Sequence, residues 1–328
     1  MLGICGYLCL DLLPTLGEGQ FVFVPGQLRE CGAMRASVGG VVGNTGGAVA
    51  RLRVPAKIRG AVGEDAFGVT IREMMSPLMQ NGKLDLFVMK GGATATTVVL
   101  NPPGQDRMFL VSTGVNDLID SSTFDADYRK GLRLLHFGYP PICPAMTRDN
   151  GAELRKLYAA CADEGVLTSL DMSLPSPGSF SYTMDWVAYL KNLLPLTNLF
   201  CPSIDELRFM LRASESATPD DLLDQLFALG AQAVFLKMGA DGAKIRTADT
   251  SDMETRFPAG WRNVNHFLPA AKVKVYGTTG AGDSAIAGLL AGLDMGYSAV
   301  KAAELGTKTA ERVISNPAGT AGLQPLFS

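Results

Sequence analysis

The amino-acid sequence predicts an α/β protein: a three-layer α/β/α sandwich with a mostly parallel sheet, plus a small β lid. Two patterns predict this fold class. From residue 132 onward, short apolar runs alternate with amphipathic helical segments, which is typical of parallel strands covered on both faces. Earlier in the chain, two strand-rich stretches carry no helix of their own, which favours a separate small sheet. We therefore expect one domain over residues 1–328, with a lid formed by about 12–38 and 86–115.

The first part of the chain supplies core and lid in turn. An apolar run over 2–10, closed by Asp11 and Pro14, predicts a buried first strand with an acid at its carboxyl end. The segments predicted next are strands at 21–24 and 33–38, a helix after Asn44, a strand at 57–62, a helix at 67–80, and strands at 86–89, 95–100 and 107–112. Turn residues separate the last three strands, so we assign them to the lid rather than to βα units.

The second part of the chain is regular. Predicted strands cover 132–137, 166–171, 198–201 and 233–238, and predicted helices cover 150–164, 186–194, 205–212, 220–229 and 281–293. A strand-like run at Val275 leads into the last helix. We expect the lid to lie at the carboxyl edge of the parallel sheet, where folds of this class bind their ligands.

Composition excludes several classes of protein. With 47% hydrophobic and 19% charged residues, the chain is not wholly disordered. A net charge of −3 without a basic block predicts no nucleic-acid partner. No apolar stretch reaches membrane-span length, and the N-terminus lacks the basic region of a signal peptide, so we expect a cytoplasmic protein without membrane association. Six cysteines without C-x-x-C spacing predict free thiols, and two histidines leave little basis for a His-rich zinc site.

The segment 275–290, VYGTTGAGDSAIAGLL, is the most informative in the chain. Gly280, Ala281 and Gly282 have little side chain, so their backbone N–H groups can converge on an anion at a helix N-terminus. Asp283 follows in the first turn, either as an ordinary cap or as a base that takes a proton from a hydroxyl attacking a phosphoryl group. A P-loop motif is absent from the sequence, and no G-x-G-x-x-G follows the first strand, so the usual nucleotide signatures do not apply.

Four motifs, in order, resemble those of the ribokinase/PfkB carbohydrate kinase family. TTGAGDSAIAGLLAG at 278–292 resembles the family's second signature, and GGVVGN at 39–44 resembles its first, sugar-binding signature. GAVGEDAFG at 60–68 resembles the strand-and-turn segment that follows the first signature, and FLKMGADGA at 235–243 resembles the family's nucleotide-side strand and glycine turn. The resemblance runs from about residue 3 to the C-terminus. It implies a single ribokinase-like kinase domain that transfers a phosphoryl group from ATP to a hydroxyl of a sugar or acidic sugar.

The resemblance also implies roles for single residues. Asp283 becomes the general base, and the anion hole for the transferring phosphate is formed by Gly280, Ala281 and Gly282. The residues implied to bind the sugar are Asp11, Gly39, Gly40 and Asn44. The residues implied to bind ATP are Ser203, Lys237, Gly239, Asp241 and Gly242, with Glu206 for Mg²⁺. Without the resemblance, Asp11 is equally a turn residue, 39–44 a tight turn with a helix cap, and Lys237 a solvated strand-end lysine.

Three positions depart from the family pattern. Ser203 replaces the usual Asn and is a shorter phosphate ligand; Gly277 replaces an Asp that often helps to hold a monovalent cation; and Ala285 replaces an aromatic residue. Because of the first two departures, a catalytically weak sugar-binding regulatory protein of the same fold remains an alternative to an active kinase.

The sequence leaves open which hydroxyl compound accepts the phosphoryl group. Arg107, in the second lid segment, would meet an acidic sugar or is a solvated strand residue, and a nucleoside kinase is the alternative within the family. Asp171, at the end of a predicted strand, is a candidate for the magnesium or phosphate network. The lid strands are too short to bury a core, so we expect a homodimer through the lid. Its expected apolar face comprises Phe21, Phe23, Val98, Leu100, Phe109 and Val111.

Overall fold

The computed structural model describes residues 1–17, 22, 24–104 and 108–326. Its strands are β1 Leu2–Gly6, β2 Cys9–Pro14, β3 Met34–Gly39, β4 Ala56–Arg59, β5 Ala61–Gly63, β6 Lys83–Leu84, β7 Phe87–Met89, β8 Thr96–Leu100, β9 Met108–Ser112, β10 Leu134–Gly138, β11 Leu167–Asp171, β12 Leu199–Phe200, β13 Ala233–Lys237, β14 Ala243–Thr247 and β15 Asn265–Leu268. Its helices are α1 Gly47–Arg51, α2 Ala66–Met75, α3 Ala126–Arg129, α4 Pro144–Asp163, α5 Trp186–Leu193, α6 Ile204–Met210, α7 Pro219–Ala228, α8 Asp252–Thr255, α9 Ala281–Asp294 and α10 Ala299–Ile314.

The main sheet has the order β15-β14-β13-β12-β11-β10-β1-β4-β6 within the described residues. All pairs from β13 to β6 are parallel, and β14 and β15 add an antiparallel edge. Buried side chains form one core between the sheet and α1, α9 and α10, and a second core against α4, α5 and α7. Strands covered on both faces have continuous apolar runs, and β1 and β10 are buried throughout. The predicted three-layer sandwich is confirmed.

The lid is a separate four-stranded sheet with the order β3-β2-β8-β9. It corrects two predictions. The apolar run at 2–10 is two strands, because Gly6 has φ +126° and turns the chain out of the main sheet after β1, so Asp11 lies inside a lid strand and not at the end of a core strand. The segment at 86–89 is not in the lid sheet, since β7 pairs with β5 in a small sheet of two strands. The predicted strand piece at 21–24 falls largely outside the described residues.

Near the C-terminus, sequence reasoning missed one strand and wrongly expected another. The edge strand β15 was not predicted, because three of its four residues are exposed and its sequence has no apolar run. The run at Val275 forms no strand; its neighbour Tyr276 instead donates its backbone N–H to the carbonyl of Ile314, at the end of α10. In the described part of the chain, no helix combines the length and apolar character needed to cross a membrane.

Helices α9 and α10 pack at very close range, which fixes the N-terminus of α9. A Cβ atom added at Gly288 would lie 2.5 Å from the Thr309 hydroxyl oxygen and 2.7 Å from the Leu305 carbonyl oxygen. The interface therefore depends on a residue without a side chain.

We expect Gly288→Ala to lower the free energy of unfolding by about 1–3 kcal/mol, because a methyl group there forces the two helices apart. Chemical denaturation measures this change. Gly277→Ala is the matched control, since its added Cβ would meet no atom within 4 Å, and it should change stability by less than about 0.5 kcal/mol. Equal effects of the two substitutions would contradict the close packing of these helices.

Candidate active site

The carboxyl ends of three parallel strands meet the N-terminus of α9. Tyr139 directly follows β10, Asp171 ends β11, Lys237 ends β13, and Asp283 lies in the first turn of α9. Parallel strands bring their carboxyl ends to one edge of the sheet, and α/β folds bind ligands at that edge. This juxtaposition places a carboxylate, an ammonium group and a helix N-terminus around one space.

Asp283 is buried, and neighbouring hydroxyl groups hold its carboxylate. The Thr45 hydroxyl donates to Oδ1 at 2.8 Å, and the Tyr139 hydroxyl lies 2.9 Å from Oδ1 and 2.8 Å from Oδ2. Burial raises the pKa of Asp283, whereas Lys237 and these two hydroxyl donors lower it and Glu206 raises it further. A carboxylate with these neighbours is a stronger proton acceptor than an exposed one, yet it is still stabilised in its charged form.

A buried ion pair lies next to this carboxylate. Lys237 Nζ lies 2.7 Å from Asp171 Oδ1, and the Asp171 side chain is 2% exposed. Burial raises the pKa of Asp171, and the neighbouring Glu206 and Asp283 carboxylates add to the effect that Lys237 opposes. Burial alone would lower the pKa of Lys237, but the carboxylates of Asp171 and Glu206 raise it. Three acidic groups therefore surround one ammonium group, and the site has excess negative charge when all of them are ionised.

Glu206 is part of this charge cluster and also caps a helix. Its Oε2 accepts the backbone N–H of Ser203 at 2.6 Å, while the Ser203 hydroxyl accepts the N–H of Glu206 at 3.2 Å. This is a capping box at the start of α6. The predicted phosphate ligand Ser203 thus already uses its hydroxyl for the cap, and one oxygen of Glu206 is committed as well.

The turn before α9 contains glycines, which keep the N-terminus of the helix free of bulky side chains. Gly280 has φ +75°, and a Cβ there would lie 2.9 Å from the Thr320 hydroxyl, so glycine is required on both counts. Gly282 faces the ion pair, since its Cβ would lie 3.7 Å from Lys237 Nζ. The Ala281 N–H donates to the Thr278 carbonyl at 3.2 Å, so an incoming anion would compete with that carbonyl for this amide.

A cavity of about 430 Å³ opens beside this turn. Its size is in the range of small-molecule sites, and its walls are mainly apolar. Of the residues predicted to bind nucleotide or phosphate, those that line it are Lys237, Gly239, Gly242, Ala281 and Gly282. Asp241 is exposed on the turn between β13 and β14 and is not one of the lining residues. Lys237 thus lies between the cavity and Asp171.

The lid and the turn after it contain Asp11, Gly39 and Gly40, three of the residues predicted to bind the sugar. Asp11 is half-buried in β2, and its Oδ1 accepts the thiol of Cys9 at 3.1 Å. A Cβ on Gly39, in the neighbouring strand, would overlap the Asp11 carboxylate, and a Cβ on Gly40, with φ +73°, would overlap the Tyr7 carbonyl oxygen. Both glycines are needed for these close approaches. Burial raises the pKa of Asp11, against hydrogen bonds from Cys9 and Thr97 that lower it.

Asn44 connects the glycine segment to the proposed base. It lies in a π-helical turn, Val42–Gly46, a distortion that often occurs at functional sites. Burial raises the pKa of Tyr139, the Asn44 side chain opposes this rise, and the next residue, Thr45, donates its hydroxyl to Asp283. Arg107, predicted to bind substrate, lies outside the described residues.

Tyr139 and Thr45 were missed by sequence reasoning. Thr45 follows a predicted ligand directly, and Tyr139 follows a predicted strand at its carboxyl end, which is the position where ligand-binding side chains cluster. That position was the available signal for Tyr139.

Comparison with known proteins identifies the family of the chain. The family model described as "pfkB family carbohydrate kinase" matches residues 11–325. A protein described as an uncharacterized sugar kinase of Archaeoglobus fulgidus is 24% identical over 276 residues, covering 84% of this chain and 97% of the relative. A fructokinase of Rhizobium leguminosarum bv. trifolii is 25% identical over 299 residues, covering 90% of this chain and 80% of the relative.

Among solved structures, a putative ribokinase II of E. coli in complex with ATP and Mg²⁺ has a TM-score of 0.75 at 18% identity, covering 99% of this chain and 96% of that one. At this identity the likeness concerns the fold. The predicted ribokinase-like architecture, with its large parallel sheet and small separate sheet, is confirmed.

We expect Lys237→Met to destabilise the protein by roughly 2 kcal/mol at pH 9.5, because it leaves the Asp171 carboxylate buried without its cation. Burial raises the folded-state pKa of Asp171 to about 8 even with Lys237 present, and removal of the ammonium group raises it further. Below that pKa Asp171 is protonated in both folded proteins, so the loss is small at pH 6 and grows as the pH rises above about 8. Urea denaturation at pH 6 and pH 9.5 measures it. The double variant Asp171→Asn/Lys237→Met removes both charges and should recover most of the stability; a single-variant loss equal at both pH values would contradict the buried pair.

Proposed function

Because the chain belongs to the pfkB family of carbohydrate kinases, and is therefore a phosphotransferase, we propose that it transfers the γ-phosphoryl group of ATP to a hydroxyl of a sugar or acidic sugar. One observation carries the proposal: the buried Asp283 carboxylate lies in the first turn of α9, directly after a glycine turn that opens into the cavity beside Lys237. Phosphoryl transfer needs positioning and charge stabilisation more than covalent chemistry, and this arrangement supplies both.

The cavity fits the nucleotide side of the reaction. Gly282 leaves open the space that a side chain would fill next to Lys237, and the ammonium group and the α9 N-terminus both favour phosphate. The apolar walls, including Phe235, Leu268 and Ala285, suit the flat base of a nucleotide. The E. coli protein of the same fold, whose structure contains ATP and Mg²⁺, supports this choice of donor.

The charge cluster suits a divalent cation. The acidic groups of Asp171, Glu206 and Asp283 exceed the single ammonium of Lys237, so added positive charge would be stabilised there. The described residues contain no group of three or more side chains arranged to hold a metal by themselves. We therefore assign Glu206 as the protein side of a Mg²⁺ site completed by phosphate and water oxygens, which is how magnesium is usually held. When bound, the magnesium nucleotide supplies the phosphoryl group and neutralises its charge.

Asp283 then acts as the general base. Its carboxylate takes the proton of the acceptor hydroxyl while the acceptor oxygen bonds to the γ-phosphorus and the bond from that phosphorus to ADP breaks. The N–H groups of the turn, with Lys237, stabilise the charge on the transferred group. In the lid, Asp11 can accept two hydroxyl hydrogen bonds, and Gly39, Gly40 and Asn44 complete the sugar-binding side of our proposal.

The Asp283→Asn variant should keep its fold and bind ATP, but its kcat should fall by roughly 10²–10⁴-fold, since the amide cannot accept the proton. A coupled ADP-release assay over sugars, acidic sugars and nucleosides measures this, with isothermal titration of ATP as the binding check. Asp294→Asn is the matched control: it makes the same chemical change at the other end of α9.

Near-wild-type turnover of pure Asp283→Asn would remove the base assignment. Turnover of nucleosides alone would replace the sugar proposal by a nucleoside kinase. If ATP binds and no acceptor is phosphorylated, the protein is a sugar-binding member of the family that has lost turnover.

The lid supports a homodimer, which we also propose. Among the described residues β9 is the edge strand of the lid sheet and its five residues are all exposed, and an exposed edge with apolar side chains is a pairing site for another chain. The register changes the expected apolar face: Val98 and Leu100 pair with Leu110 and Met108, so they share a face opposite to Phe109. Both faces of β9 are therefore apolar at the lid edge.

The six unpaired cysteines fit a reducing compartment, and we place the protein in the cytoplasm.

Light scattering of the purified protein at micromolar concentration should give about twice the chain mass of 34.7 kDa. Phe109→Asp places a charge on an apolar face of the edge strand and should shift the mass towards that of the monomer. Val187→Asp, at an exposed position on α5, should leave the dimer intact. A wild-type monomer would overturn the proposal, and a dimer that survives Phe109→Asp would move the interface away from this part of the lid.

A further inference from the structure

The side chain of Tyr139 reaches from the end of β10 to the proposed base. Its hydroxyl lies 2.9 Å from Oδ1 and 2.8 Å from Oδ2 of Asp283, so it serves both oxygens of one carboxylate. The single O–H of the phenol, shared between the two oxygens in a bifurcated hydrogen bond, constrains the plane of the carboxylate as well as its position.

The backbone of Tyr139 is strained to make this contact. It has φ +63° and ψ +44°, in the left-handed region that bulky residues rarely adopt, and it precedes Pro140, which normally favours extended conformations. Its N–H donates to the Asp171 carbonyl at 3.3 Å, and its carbonyl accepts the Ile142 N–H at 3.2 Å. Strain held by surrounding contacts at the end of a strand is typical of a functional position.

The two carboxylate oxygens of Asp283 accept different numbers of hydrogen bonds. Among the described residues, Oδ1 accepts from both Thr45 and Tyr139, whereas Oδ2 accepts from Tyr139 alone. A carboxylate oxygen has two lone pairs, so Oδ2 has the remaining place for a hydroxyl donor. The geometry makes Oδ2 the atom that would receive the acceptor's proton.

We propose that Tyr139 is a positioning residue for Asp283, holding the carboxylate with Oδ2 directed to the acceptor and stabilising it in its charged form. The inference rests on the proposed function and goes beyond it, since it explains how a buried base stays ionised.

The surrounding charges show why such a donor is needed. Asp171 from β11 and Glu206 in the first turn of α6 both disfavour a second negative charge, and Lys237 from β13 opposes them. Lys237 is already paired with Asp171 at 2.7 Å. The Tyr139 and Thr45 hydroxyls are then the donors in direct contact with Asp283, and removing one raises the pKa of the carboxyl group.

The test is Tyr139→Phe, which keeps the ring and removes the hydroxyl. At neutral pH, kcat/KM should fall roughly 10-fold, the scale of one hydrogen bond to a charged group. The acid limb of its pH profile should move to higher pH, and the loss should shrink as the pH rises. Tyr158→Phe is the control: its buried hydroxyl donates to the Ser169 carbonyl at 2.7 Å, away from the base, and it should leave the profile unmoved. A Tyr139→Phe profile that coincides with wild type would overturn the proposal.

A second measurement does not need turnover. With ¹³C-carboxyl aspartate, the Asp283 resonance is identified by its loss in Asp283→Asn, and its titration midpoint should rise in Tyr139→Phe. If Tyr139→Phe does not fold, the ¹³Cζ resonance of Tyr139 in the wild type, identified by its response to Asp283→Ala, should follow the titration of Asp283. An unmoved midpoint, or a tyrosine resonance that ignores that titration, overturns the positioning role. Absence of turnover in the wild type with a moved midpoint would count against the proposed function alone.

Discussion

A carboxylate removed from water must be compensated by nearby donors and cations, and the Asp283 carboxylate imposes this requirement on its surroundings. A buried, unpaired charge costs several kcal/mol, so it persists only where donors and cations meet it. Here the donors come from elements far apart in sequence, Thr45 in the π-helical turn before α1 and Tyr139 directly after β10, and the cation comes from Lys237 at the end of β13. The parallel sheet brings these strand ends to a common edge, and the packing of α10 against α9 holds the helix in place.

Local patterning was enough to predict the core, because its strands are buried on both faces and stand out as apolar runs. It failed where burial is partial. The edge strand β15 is mostly exposed, and β2 follows β1 so closely that the apolar run hides the turn at Gly6. Asp11 was therefore expected in the core and lies in the lid.

The candidate site also contains both residues that local sequence predicts and contacts that only the topology determines. Asp283 and the glycines before it were predicted from local sequence, since a glycine turn at a helix start is a local feature. The pairing of Lys237 with Asp171 depends on which strands become neighbours, which only the topology determines. Ser203 and Glu206 form a capping box that their spacing could have predicted. The family resemblance instead implied that Ser203 binds ATP and that Glu206 binds Mg²⁺. Tyr139 adopts a conformation that its own sequence disfavours, and tertiary contacts impose it.

The lid is interleaved with the core along the chain. Strand β2 begins after only two residues beyond β1, and the side chain of Asn116 accepts the Leu8 N–H and donates to the Leu8 carbonyl, tying that short crossing to a segment beyond β9. Strand β3 runs directly into the π-helical turn that carries Asn44 and Thr45. The lid is thus not an independent module: replacing it as a unit would also replace the crossing at Leu8 and the turn whose Thr45 hydroxyl contacts Asp283.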